Sequence, residues 1–160
     1  MLDQKKQFRA LMGRFVTGVT VVATQTAHGV AAMTANAVAA VSLEPLMLLV
    51  CVRNESRLLP TLLDSGCFSV NVLSAGQDAI GRHYGGQALD QSPAQWQPGG
   101  SGVPRLVGAN DSFFCRVAST HRAGDHTVVY GEVVEMLAAE PVAPALVYAA
   151  GRFSDLALQP

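Results

Sequence analysis

Residues 19–36 read VTVVATQTAHGVAAMTAN. Val19 to Gln25 is dense in β-branched residues, Thr26-Ala27-His28-Gly29 has turn chemistry, and Val30 to Asn36 resumes an extended pattern. β-Branched side chains pack well on a pleated surface, and a short polar, glycine-bearing connection lets one strand return beside the other. The simplest reading is a β-hairpin, and it sets the expectation for the rest of the chain.

Upstream, Phe8, Leu11, Met12 and Phe15 recur at helical spacing among Lys5, Lys6, Arg9 and Arg14, predicting a short amphipathic helix that ends near Thr17. Downstream, Ser42-Leu43-Glu44-Pro45 punctuates a connection, and Leu46 to Val52 is an apolar run short enough for a central strand. Arg53 to Ser56 reads as a turn, with Ser56 as N-cap of a helix from Arg57 to Asp64 that tolerates Pro60 near its start. Cys67 to Leu73 predicts a strand and Ala75 to His83 a helix. The segment from Leu89 to Gly102 reads as a surface excursion or lid anchored by Trp96. Ser112 to Thr120 and Thr127 to Leu137 form two strands paired through a turn at His121 to Asp125. Leu146-Val147-Tyr148 is a last strand after Pro141 and Pro144, and Arg152-Phe153 closes the ordered part. Short strands with glycine turns outnumber helices, so residues 1–160 are expected to form one mainly β domain, a barrel or a sandwich.

The composition narrows the function. In 160 residues, 49% are hydrophobic and only 14% charged, which is more apolar material than a small monomer needs to hide. A subunit interface or a ligand cleft would use the excess. A formal charge of -1 and the lack of a basic run argue against nucleic acid. The eleven basic residues are nearly all arginine, which suits local anion binding. Cys51, Cys67 and Cys115 lie far apart among apolar neighbours, as free thiols in a reducing compartment do. With neither a signal peptide nor a membrane span legible, a cytoplasmic protein is expected.

Three places could carry chemistry. Arg53, Ser56 and Arg57 surround a strand-to-helix junction where free amides, a hydroxyl and guanidinium groups can converge on a phosphate, although an ordinary N-cap with two surface arginines has the same spacing. Thr34-Ala35-Asn36 ends a hairpin strand, where Asn36 offers both donor and acceptor to a heteroaromatic ring or else to its own turn. In Gly124-Asp125-His126, one ring nitrogen of His126 can meet Asp125 and leave the other for a ligand. His28, His83 and His121 do not complete a metal set with His126, and no GxGxxG, GxxxxGK or GxSxG is present.

The segments Phe8-Arg9, Met12-Gly13-Arg14-Phe15-Val16-Thr17-Gly18-Val19-Thr20-Val21-Val22, Met33-Thr34-Ala35-Asn36, Val41-Ser42-Leu43-Glu44-Pro45, Cys67-Phe68-Ser69-Val70-Asn71-Val72-Leu73, Gly124-Asp125-His126 and Gly131-Glu132-Val133 together resemble the flavin reductase-like family of FMN-binding split-barrel proteins. The resemblance runs from near residue 8 to Phe153. It implies a Greek-key split β-barrel with a few short helices, assembled as a homodimer, that reduces FMN or FAD with NADH or NADPH. It further implies that reduced flavin leaves for a separate flavin-dependent monooxygenase. Two alternatives use the same site: a flavoprotein that retains FMN and reduces its own small substrate, or a non-enzymatic flavin-binding protein. By matching position, the resemblance puts Thr34, Ala35, Asn36 and Ser42 beside the flavin ring, and Cys51, Val52, Arg53 and Asn54 along the ribityl chain. It puts Ser56 and Arg57 at the phosphate, and Phe153 near the cofactor. His126 becomes a positioning donor beside nicotinamide or flavin, with no covalent role, and Arg82 a partner for phosphate or the nicotinamide nucleotide.

Overall fold

The computed structural model describes residues 3–157. Its chain order begins with α1 (Gln4–Met12), β1 (Thr17–Gly18), β2 (Thr20–Thr26), β3 (Gly29–Ala35), β4 (Val38–Leu43) and β5 (Leu46–Arg53). There follow α2 (Leu58–Ser65), β6 (Cys67–Val72), α3 (Asp78–Tyr84), β7 (Trp96–Pro98) and β8 (Pro104–Leu106). The chain finishes with β9 (Asp111–Ala123), β10 (His126–Ala138), β11 (Ala145–Ala149) and β12 (Arg152–Leu156).

The hairpin of residues 19–36 forms as expected, with Thr20 opposite Ala35 and Thr26 opposite Gly29. It opens a seven-stranded antiparallel sheet in the order β3-β2-β6-β9-β10-β5-β4. The two edge strands are consecutive in sequence, joined only by Asn36 and Ala37. Three Cα steps of about 3.8 Å hold Ala35 and Val38 within roughly 11 Å, so the sheet must curl until its edges meet. The amide of Cys51 on β5 donates to the Ala37 carbonyl at 3.0 Å, which extends the β4-β5 ladder back into the connection between the two edges. The result is a split barrel, and Asn36 stands in the split.

Alternation along β2 serves two cores. Val22 faces the barrel interior with Val50, Val52, Phe68, Val70, Cys115 and Val129. α2 closes this core with Leu58, Leu59 and Leu62, and stops at Gly66, whose φ of 68° is a left-handed C-cap. Burial pushes the Cys115 thiol up to about 12, with nearby Cys67 adding to the rise, so Cys115 is a protonated core residue. Val19 and Val21 face outward and are covered by Ile80 of α3, Leu106 of β8 and Leu146 of β11. Buried Asn71 ties the layers: its Nδ2 donates to the Val21 carbonyl at 3.1 Å, and its Oδ1 accepts from the Leu106 amide at 3.0 Å and the Ser112 hydroxyl at 2.9 Å. All of its bonding capacity is directed inside the fold, as a buried amide requires.

Several expectations shift. α1 stops at Met12, where Gly13 donates to the Arg9 carbonyl at 2.8 Å, and the Thr17 region pairs with β11 instead of extending the helix. α2 starts at Leu58, one residue later than expected, although the Ser56 hydroxyl does accept from the Leu58 amide at 3.2 Å. α3 starts at Asp78, because the Gln77 side chain accepts from the Ser74 amide and keeps residues 74–77 in a turn. The Leu89–Gly102 excursion contains β7, which pairs with β8, and Trp96 anchors it by donating to the Tyr84 hydroxyl at 3.2 Å. Arg152-Phe153 begins β12 and does not end the order. Among the described residues no helix is long and apolar enough to cross a membrane.

Candidate functional site

The seam of the barrel opens into two adjoining hollows of about 380 and 430 Å³ that share Thr34, Asn36, Arg53 and Gly85 as their common wall. Three strand ends and one helix end converge here because β3 and β5 finish on the same side of the split. The larger hollow adds Ala35, Cys51, Ser56, Gly86 and His126. The smaller adds Arg82, Gln87, Tyr148 and Phe153. Among these lining residues there are arginines and a histidine but no carboxylate.

On the β10 side, His126 pairs with Arg53 across the ladder, and its Nδ1 lies 2.8 Å from Asp125 Oδ1. The β5 terminus braces this turn. The Asn54 amide donates to the Asp125 carbonyl at 3.0 Å, and its Nδ2 to the Gly124 carbonyl at 3.1 Å. The Thr127 hydroxyl donates to Asn54 Oδ1 at 2.8 Å. The hydrogen bond from His126 holds the Asp125 carboxyl below its ordinary range, the charge of His126 adds to this, and Arg53 contributes least. With Nδ1 turned to the carboxylate, a neutral His126 presents Nε2 as an acceptor and becomes a donor there only as the imidazolium.

On the α3 side, the Arg82 guanidinium lies 5.1 Å from the centre of the Phe153 ring, which packs against Tyr148 at 5.1 Å between centroids. The ring fits because residue 81 is glycine: a Cβ there would stand 3.2 Å from Phe153. Thr34 reaches the same helix, its hydroxyl donating to the Gly81 carbonyl at 2.7 Å.

Of the residues expected from sequence, Thr34, Ala35, Asn36, Cys51, Arg53, Ser56, Arg82, His126 and Phe153 therefore meet at one place. Four do not line it. Val52 points into the barrel core, as strand alternation demands once Cys51 and Arg53 face out. Asn54 spends its side chain on the β10 turn. Arg57 is exposed at the N-cap of α2, beyond the lining. Ser42 lies on the far part of β4 against an apolar groove with Leu43, Leu46 and Phe113, and accepts from the Glu44 amide at 3.1 Å. The free amides expected at the α2 start are also engaged: Ser56 receives both the Leu58 and Leu59 amides, and Pro60 has none. Sequence reasoning missed Val19, Gly85, Gln87, Tyr148 and Gly151. Tyr148 and Val19 looked like ordinary strand core, and only the Gly85-Gly86 pair carried a visible signal, that of a bare backbone.

A curled antiparallel sheet whose seam carries arginines, an amide side chain and aromatic rings suits a flat, anionic heteroaromatic molecule, and among the described residues no cluster of His, Cys, Asp or Glu is placed to hold a metal. The comparisons agree. A family model described as flavin reductase like domain matches residues 12–157, and the chain belongs to that family of split-barrel flavin reductases. It is 36% identical over 159 residues to the FMN reductase (NADH) SmoA of Agrobacterium fabrum, covering 98% of this chain and 89% of that one. Among solved structures, the flavin reductase PheA2 superposes with a TM-score of 0.89 at 34% identity, over 96% of this chain and 98% of the other. The Streptomyces globisporus NADH:FAD oxidoreductase SgcE6, in complex with NAD and FAD fragments, gives 0.88 at 34% identity, over 98% and 96% of the two chains. NAD(P)H-dependent flavin reduction is the activity of the family.

Proposed function

We propose that this protein reduces FMN with NADH and releases the reduced flavin to a separate flavin-dependent monooxygenase. The observation that carries the reading is the paired hollow at the seam, with Arg53 and Arg82 among its walls and no carboxylate in its lining. Each hollow is within the few hundred Å³ that enclose a small ligand, and two side by side suit two ligands that must touch. The similarity to SmoA, an FMN reductase (NADH), at 36% identity supports FMN as the flavin and NADH as the donor; FAD is the competitor, since SgcE6 is an NADH:FAD oxidoreductase.

The residues present fit a flavin. Asn36 has donor and acceptor for a ring edge, the Gly85-Gly86 backbone allows close approach, and Ser56 with Arg53 can receive a phosphate. A flavin held there would supply two-electron redox chemistry between the nicotinamide and an acceptor. The chain's own contribution is orientation. Asn36 and Thr34 stand in the shared wall, Phe153 and Tyr148 offer an aromatic surface to the nicotinamide side, and Arg82 offers charge to its phosphates. His126 orients and polarises, with no covalent role, which agrees with a reaction that needs close stacking more than an acid or base. The protein acts as a homodimer in the cytoplasm, where the pyridine nucleotide is supplied.

Cofactor-stripped protein mixed with NADH and increasing FMN under air tests this. Turnover far beyond the protein concentration that saturates with FMN is the expected result. FMN binding without oxidation of NADH or NADPH would overturn it, and one tightly held flavin that outlasts dilution would favour a reductase of its own small substrate.

A further inference from the structure

The last turn of α3 leaves one carbonyl in need of a partner. Helix C-termini expose carbonyls that lack an intrahelical amide. At Gly81 the shortfall arises early, because the Gly85 amide, the usual partner four residues on, donates instead to the Arg82 carbonyl at 3.1 Å. The Gln87 amide goes to the same Arg82 oxygen at 3.0 Å. Gly81 is buried, so its carbonyl has little access to water. The Thr34 hydroxyl, from a strand 47 residues away, supplies the missing donor at 2.7 Å.

That single bond joins the wall shared by both hollows to the helix that carries Arg82 and Gly85. The packing around it has little slack. A Cβ on Gly85 would stand 2.7 Å from the Gly81 oxygen, and one on Gly81 would stand 3.2 Å from the Phe153 ring. A shift of α3 therefore moves Arg82, the Phe153 ring and the Gly85 backbone together. The Thr34 proton is also committed, so toward any ligand the hydroxyl acts only through its oxygen.

We infer that Thr34 is a positioning residue, whose hydroxyl caps α3 and so sets where Arg82 and Gly85 face the nucleotide; the inference rests on the flavin reductase reading above. Thr34→Val removes the donor at nearly constant volume, and Thr34→Ser keeps it. Amide hydrogen exchange over α3 and residues 85–87, read without any ligand, is expected to speed up about tenfold in Thr34→Val and to return close to wild type in Thr34→Ser. In turnover, KM for the pyridine nucleotide is expected to rise about tenfold in Thr34→Val, by a larger factor than kcat falls, with recovery in Thr34→Ser. The losses from Thr34→Val and Arg82→Ala should not add, because both act through the same helix. Additive losses, a fall mainly in kcat, or α3 exchange unchanged in Thr34→Val would each overturn the positioning role. Should wild type oxidise neither NADH nor NADPH, the functional reading falls, and the exchange measurement alone still decides whether Thr34 caps α3.

Discussion

His126 gains its position from neighbours that carry no ligand role themselves. Asp125 is almost fully exposed, with 93% of its side chain accessible, so solvent screens its charge and its value lies in orienting the ring. Its folded pKa is depressed, so the pairing contributes above the ordinary carboxylate value and fades as pH falls through the lower folded one. At neutral pH the carboxylate is ionised and the ring is held. His126→Ala is expected to lower kcat/KM for NADH by about tenfold, with folding intact, and Asp125→Asn by a smaller factor because Asn54 still braces the turn. Steady-state kinetics at saturating FMN check this, and two variants indistinguishable from wild type would remove His126 from the machinery.

The same turn shows what elements add to residues. The long β9-β10 hairpin carries His126 to the seam, and its pairing is interrupted by register shifts next to Gly131 and near Val134. Gly131 is there for space: a Cβ would lie 2.6 Å from the Phe68 ring and 2.9 Å from Cys115. Gly131→Ala is expected to destabilise the fold by about 1–3 kcal/mol through this overpacking, visible as a lower midpoint in urea unfolding. An unchanged midpoint would mean the barrel interior yields there. The hairpins and the apolar β5 run were legible because period-two patterning and glycine turns are local signals. β4 was not, since Val38 to Leu43 mixes small and apolar residues whose strand state is imposed by pairing with β5. β12 and the β7-β8 pair escaped for the same reason. At the site, residues near glycine or polar punctuation were found, whereas Tyr148 and Gln87 reach it through tertiary packing alone. Val52, Asn54 and Arg57 lie next in sequence to lining residues but on the other side of a strand, turn or helix start, and Ser42 lies too far along β4.

Taken as a whole, the molecule leaves uncovered the apolar surface that its composition suggested. α1 buries none of its residues, and Phe8 and Phe15 are 67% and 68% exposed. Both line a hollow of about 530 Å³ with Met12, Val38, Leu49 and Cys51, which runs into the candidate site at Asn36 and Tyr148. Farther along β4, itself a sheet edge with unpaired backbone groups, Leu43 is 86% exposed beside the apolar groove. Such a continuous surface favours association, and because it borders Asn36 the covering copy would wall the flavin hollow as well. The chain is therefore expected to sediment as a dimer at micromolar concentration, and Phe15→Glu or Leu43→Glu to shift it toward monomer. If the second copy completes the site, Phe15→Glu should weaken FMN binding along with dimerisation, measured by flavin fluorescence at concentrations spanning the dissociation. A wild-type monomer with full turnover would show that one seam suffices, and the exposed α1 face would then need another partner.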